Sequence, residues 1–264
     1  MARPIITLTT DYGTNDHLVG VMKGVILSIN PEVNIVDITH SVLPHDLLDG
    51  ALAIGQAYKY FPPKTVHVVV VDPGVGTARR PVLVASDTHY FVAPDNGVLS
   101  SVYDQTEALY VWNIISEHYF RQPVSNTFHG RDVFAPVAAW LTKSWQSSAF
   151  GEQITDFTRF ALPRPKTNGN TIKGIVLKVD QFGNLITNLR AEDVPAFTAE
   201  GGKFTIKAGN ATVTKLVPTF ASGANGEAIG LIGSGGYLEI SLNKASASKS
   251  LALGRGAEVT VEVS

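Results

Sequence analysis

The chain has 264 residues, of which 44% are hydrophobic and 17% charged, with a formal net charge of −2. That is the composition of a compact globular protein with ample core, and it gives no electrostatic reason to expect nucleic acid or an anionic membrane as partner. No basic tract stands out, so a small-molecule partner is expected, and the absence of cysteine excludes disulfides, thiolate zinc sites and a thiol nucleophile.

The N-terminal apolar stretch is too short for a signal segment, and no run approaches the roughly eighteen apolar residues that cross a bilayer. A cytoplasmic location is the expectation. Ile5–Thr10 is a β-branched run that predicts a strand, ending in Asp11-Tyr12-Gly13-Thr14-Asn15-Asp16, which offers several helix N-cap candidates. From Leu18 to Ile29 the apolar residues follow helical spacing, and Asn30-Pro31 stops the helix. Val33–Ile38 reads as a strand and Asp46–Tyr60 as a helix. Val66–Val71 is continuously apolar, as expected of a strand covered on both faces, and ends in Asp72-Pro73-Gly74-Val75-Gly76. Strands follow at Val82–Ala85 and Tyr90–Val92, and a helix at Val133–Trp145.

This alternation predicts an α/β sheet domain over residues 1–165, with ligands beyond the carboxyl ends of its strands, where Asp11 and Asp72 fall. A Pro-, Gly- and Asn-rich stretch follows, with the linker placed at 166–170. Over 171–264 short β-like runs dominate: Ile172–Val179, Leu185–Leu189, Phe204–Lys207, Ala211–Val217, Ala228–Ile232, Tyr237–Leu242 and Glu258–Val263. With one helix at Ala245–Leu253, they predict a smaller all-β, barrel-like C-terminal domain.

Asp11, between strand and helix, suits either a helix cap or a grip on vicinal ribose hydroxyls. Asp72 and Arg79 flank one tight Gly-containing loop, so the two can pair across it. The loop lacks the Gly-Lys-Ser/Thr ending of a nucleotide-binding P-loop. His129, in Phe128-His129-Gly130-Arg131-Asp132, precedes a helix and can face a cleft or be an ordinary surface residue. The remaining histidines show no ligand spacing, so no metal is expected. Asp180-Gln181-Phe182-Gly183-Asn184 reads as a turn that can also present a carboxylate and an amide to a zwitterion.

Taken together, these segments resemble the family of S-adenosylmethionine (SAM) hydrolases, or SAM hydroxide adenosyltransferases, and nucleophilic halogenases that includes the bacterial fluorinase and chlorinase. The matching pieces are Thr9-Thr10-Asp11-Tyr12-Gly13, Asp37-Ile38-Thr39-His40, Val71-Asp72-Pro73-Gly74-Val75-Gly76, Ala93-Pro94-Asp95-Asn96-Gly97, Thr127-Phe128-His129-Gly130-Arg131-Asp132, Asp180-Gln181-Phe182-Gly183-Asn184 and Gly236-Tyr237-Leu238-Glu239-Ile240. They run in order through nearly the whole chain.

The resemblance implies a homotrimer whose sites lie between the N-terminal domain of one subunit and the C-terminal domain of the next. It implies that Asp11 grips the ribose and that Asp180 and Ser234 bind the methionine end. Asn184 would lie against the nucleoside, and Asn243 and Ala245 against the adenine, largely through backbone, with Phe128 and Tyr237 also lining the substrate. Asp72 decides the branch, because a carboxylate there repels a bare halide and accepts a hydrogen bond from water. The hydrolase branch carries an Asp, Arg and His set, matched here by Asp72, Arg79 and His129. The implied reaction is attack of water on ribose C5′, giving adenosine and methionine, with SAM as substrate and no cofactor. A SAM-dependent halogenase and a non-catalytic SAM or adenosine sensor are the alternatives.

Overall fold

The computed structural model describes residues 3–143 and 146–264, so the expected helix end at Trp145 lies outside the described residues. The chain divides into two compact units, one ending at Leu162 and one of Pro163–Ser264.

The first unit is built on a seven-stranded sheet. Its elements run β1 (Ile5–Thr10), α1 (Leu18–Ile29), β2 (Asn34–Thr39), α2 (Leu47–Ala57), β3 (Val66–Val70), β4 (Pro81–Ser86), β5 (Tyr90–Pro94), α3 (Ser100–Gln105), β6 (Leu109–Ile114), α4 (Ala135–Leu141) and β7 (Gly151–Ile154). The strand order is β2-β1-β3-β5-β4-β6-β7. The first four of these are mutually parallel and the rest pair antiparallel.

The run read as doubly covered is so. Val68 and Val70 of β3 join Ile6 and Leu8 of β1 under Met22, Ile26 and Val137, the layer of α1 and α4. Val69 and Val71 point the other way, toward Ile54, Leu99 and Val102 of the α2 and α3 layer. Each such buried side chain contributes roughly 1.5–3 kcal/mol relative to exposure. Thr10 pairs with Val70 in register. Asp11 and Asp72 therefore leave the carboxyl ends of two neighbouring parallel strands.

Two elements carry little sequence signal. Both α3 and β7 are short, and β7 (Gly-Glu-Gln-Ile) has low strand propensity. Pairing with β6 holds β7 in place, so closely that a Cβ on Gly151 would meet the Asn113 carbonyl oxygen at 1.8 Å. The helix expected at Val133 opens earlier, with a π-helical turn over Gly130–Phe134. The polar run after β1 does not cap α1. His17 holds the N-cap without a side-chain bond, and Asp11 accepts the His45 N–H at 2.9 Å instead.

The second unit is a nearly closed antiparallel barrel of β8 (Lys166–Asn168), β9 (Thr171–Val179), β10 (Leu185–Arg190), β11 (Phe204–Ala208), β12 (Ala211–Val213), β13 (Ala228–Ile232), β14 (Tyr237–Leu242) and β15 (Glu258–Val263), with α5 (Ala247–Leu251). The path is β12-β11-β15-β9-β10-β14-β13, and Leu216 bridges to Gly230 to bring the two ends together. The stretch read as linker at 166–170 contains β8, which pairs with β9 through a tight turn at Gly169 (φ +55°). Its Gly and Asn residues make a hairpin rather than a tether. The expected Ala211–Val217 run ends at Val213, and α5 is shorter than Ala245–Leu253, starting at the Ser246 cap and stopping at left-handed Ala252.

Candidate active site

The loop after β3 is tied down at both ends. Asn96 Nδ2 donates to the Val71 carbonyl at 2.8 Å, and Thr77 Oγ1 donates to the Gly74 carbonyl at 2.7 Å. Gly76 sits at φ +75°, and a Cβ there would come within 2.2 Å of the Asn126 carbonyl oxygen. Only glycine permits that approach, which sets the 72–79 loop directly against the segment leading to His129.

Arg79 folds back on Asp72 as the flanking positions allow. Its Nε donates to Asp72 Oδ1 at 3.0 Å and its Nη2 to Oδ2, a bidentate pair with side chains only 10% and 5% exposed. Arg79 Nη2 also lies 2.7 Å from His129 Nδ1. A guanidinium only donates, so Nδ1 must accept and the His129 proton sits on Nε2. Burial, then the Arg79 charge, holds the His129 pKa below its ordinary value, against the opposite pull of Asp72 and Asp132. Arg79 lies 5.3 Å over the Phe134 ring, and its Nη1 is buried with no hydrogen-bond partner among the described residues. The three residues expected as catalytic thus form one contiguous group, with a spare buried cationic donor at its centre.

Tyr12 stands beside this group and has no role in the sequence reading, although it follows Asp11 directly. Its burial, then the charges of Asp11 and Asp72, push the phenol well above its usual range. Its ring meets Phe128 edge-on at 5.9 Å, and Gly130 leaves room for its hydroxyl, which a Cβ there would crowd to 2.6 Å.

In the second unit, Asp180 closes its own turn. Oδ1 accepts from the backbone N–H groups of Phe182 and Asn184 at 2.9 and 2.8 Å, and Oδ2 accepts from Asn184 Nδ2 at 2.8 Å. The turn docks on the start of α5, where Ser248 N–H donates to the Gly183 carbonyl at 2.9 Å. Ser234 is exposed in the turn between β13 and β14. The Glu239 carboxyl on β14 is raised by burial and then by Asp180, which places the two acids as neighbours. Tyr237 is buried under the Arg190 guanidinium, 4.4 Å from its ring centre, and its hydroxyl accepts from Arg190 Nη2 at 2.9 Å. Asn243 spends its amide on the loop, with Nδ2 donating to the Gly223 carbonyl at 2.7 Å, and Ala245 is exposed in the turn after β14. Asp180 and Asn184 are therefore brought together, whereas Tyr237 and Asn243 are held by their own unit.

Among the described residues, no group of three or more His, Cys, Asp or Glu could hold a metal ion. No described helix is long and apolar enough to cross a membrane.

Residues 6–151 match the family model described as the SAM hydroxide adenosyltransferase N-terminal domain, and residues 174–260 match its C-terminal domain. A relative from Methanocaldococcus jannaschii, named (R)-S-adenosyl-L-methionine hydrolase, is 36% identical over 94% of this chain and 91% of its own. A protein from Actinoplanes sp. named fluorinase is 30% identical over 98% of this chain and 97% of its own. A solved structure of an uncharacterized conserved protein from Thermotoga maritima superposes with a TM-score of 0.91 at 34% identity, covering 97% of this chain and 99% of that one.

Proposed function

The chain belongs to the SAM hydroxide adenosyltransferase family, and from that premise we propose that it hydrolyses S-adenosyl-L-methionine to adenosine and L-methionine. The name of its hydrolase relatives specifies the R configuration at sulfur, and this reading extends that epimer to the chain as its preferred substrate. The observation that carries the mechanism is the group Asp72–Arg79–His129, with a buried Arg79 Nη1 that no described residue accepts from.

In the proposed step, a water oxygen attacks ribose C5′ in line with the C5′–S bond. That bond's electron pair returns to sulfur, which leaves as a neutral thioether and needs no acid. The attacking oxygen becomes strongly acidic as the C–O bond forms, so a carboxylate suffices to take its proton. Asp72 is that acceptor, through lone pairs that Arg79 leaves free. His129 is not, because its free nitrogen is occupied by Arg79; its Nε2–H orients the oxygen as a donor. Arg79 Nη1 supplies positive charge to hydroxide-like density, which is worth most in a site shielded from water. Asp11 would hold the ribose hydroxyls, Phe128 would line the pocket, and Asp180, Asn184, Ser234, Tyr237, Asn243 and Ala245 would serve the methionine and adenine ends. A homotrimer with sites shared between neighbouring subunits belongs to this reading as well; sedimentation tests it. A cytoplasmic location belongs to the same reading, and the step as written uses no cofactor.

Incubating the enzyme with each sulfonium epimer in isotopically labelled water, with and without chloride or fluoride, tests the proposal. The expected products are methionine and adenosine labelled at the 5′-hydroxyl, formed faster from the R epimer. A 5′-halo-5′-deoxyadenosine product, or tight binding without turnover, would sink it.

A further inference from the structure

The acid of the Phe128-His129-Gly130-Arg131-Asp132 segment has no part in the chemistry above, yet its side chain is wholly buried. Four donors converge on it. Arg131 Nε and Nη2 reach Oδ1 and Oδ2, each at 2.7 Å, the Ser125 N–H reaches Oδ2 at 2.9 Å, and Arg121 Nη1 reaches Oδ1 at 3.3 Å. Its backbone is engaged as well. Pro136 lacks the N–H that would close a helical bond to the Asp132 carbonyl. The freed oxygen accepts the Arg121 N–H at 2.8 Å instead.

The effect is to lock both ends of one segment. The chain from Arg121 to Ser125 is stapled to the π-helical turn, so the intervening Phe128 and His129 have little freedom. Arg131, held by Asp132, lies 5.2 Å over the Phe128 ring, whose edge contact with Tyr12 continues toward Asp11 and Asp72. Burial by itself would raise the Asp132 pKa, but hydrogen bonds from Arg131 and Ser125 outweigh it and hold the acid ionised.

We infer that Asp132 is a positioning residue for the proposed hydrolysis, its buried carboxylate fixing the segment that presents Phe128 and the His129 ring to Arg79. A displacement of about 1 Å at such a ring is enough to cost around a hundredfold in rate. The inference rests on the proposed function for its kinetic consequence, but the His129 ring reports the positioning without turnover.

The test uses Asp132→Asn, which keeps the size but puts an amide donor against donors, and Arg121→Gln, which removes one partly exposed arm of the clamp. In ligand-free protein, nitrogen-detected magnetic resonance of the His129 ring should show the Nε2–H form in wild type. In Asp132→Asn it should show a mixture of tautomers and a lower titration midpoint, since Arg79, Asp72 and Asp132 are the charges facing the ring. Turnover should fall roughly ten- to a hundredfold in kcat with a smaller change in KM, and Arg121→Gln should shift the tautomer balance and kcat the same way by less. A folded Asp132→Asn protein with an unchanged His129 ring overturns the inference, whether or not kcat falls. If that variant does not fold, an unchanged ring and kcat in Arg121→Gln overturn it. A wild-type protein that does not hydrolyse SAM defeats the proposed function, while the ring measurement still decides the clamp.

Discussion

Replacing Asp72 by Asn isolates the charge of the central pair with almost no change in shape. In the native site two charge-assisted bonds join Asp72 to Arg79, and both side chains are nearly inaccessible. Removing one partner of a buried ion pair costs about 3–5 kcal/mol, because the remaining charge stays buried without compensation. The asparagine oxygen still accepts one of the two bonds and recovers about 1 kcal/mol, leaving a net loss of about 2–4 kcal/mol. For a unit of this size, about 2–4 °C per kcal/mol converts this to a fall in Tm of roughly 5–15 °C. Turnover should fall by about a hundredfold or more, the usual share of a positioned proton acceptor. Calorimetry of the ligand-free protein reads the first quantity and chromatography of adenosine the second. Unchanged turnover would refute the assignment of Asp72 as proton acceptor. Unchanged Tm would show that Arg79 finds another partner.

Acidification should switch off His129. The ring is neutral with its Nδ1 bonded to Arg79, so protonation sets two cations against each other, and activity should decline below the ordinary histidine value of about 6.5; a flat profile there, with a loss only on the alkaline side, counts against the arrangement. His67, buried and bonded to Thr7, has its pKa pushed down to about 3 by burial and then by His89. Its share of stability is complete above about 6.5 and is lost as pH falls toward 3, at up to about 1.4 kcal/mol per unit, because only the unfolded chain takes the proton. Urea unfolding of His67→Leu across that range should show a slope smaller by one proton, and an unaltered slope would be contrary. Gly76→Ala forces a methyl group onto the Asn126 carbonyl at a positive φ, so it should lower stability by about 1–3 kcal/mol and depress kcat by displacing the 72–79 loop from His129; an unaffected variant would mean that the two loops move independently. Asp11→Asn should raise KM for SAM more than it lowers kcat if the residue grips the ribose, and kinetics with a 2′-deoxy substrate analogue should show that penalty shrink.

Local chemistry was enough to locate the strands and helices with strong periodicity. β1, α1, β13, β14 and β15 fall where the apolar pattern and turn residues put them, because each buries a continuous face whose spacing is set by its own backbone. That Asp72 and Arg79 can pair was readable as well, since the two flank one tight Gly-containing loop. β7 and α3 were not readable, being short elements of weak propensity held by neighbours distant in sequence. Nor were the Arg79 contact with His129, 50 residues away, the closeness of Gly76 to Asn126, the clamp on Asp132, or the burial of Tyr237 under Arg190. Sequence by itself thus determined which residue types stand at the ends of strands and in which turns. The tertiary structure decided which of them share a donor, because that depends on the strand order that brings the end of β3 beside the π-helical turn, and on Pro136 leaving a carbonyl for Arg121 to claim.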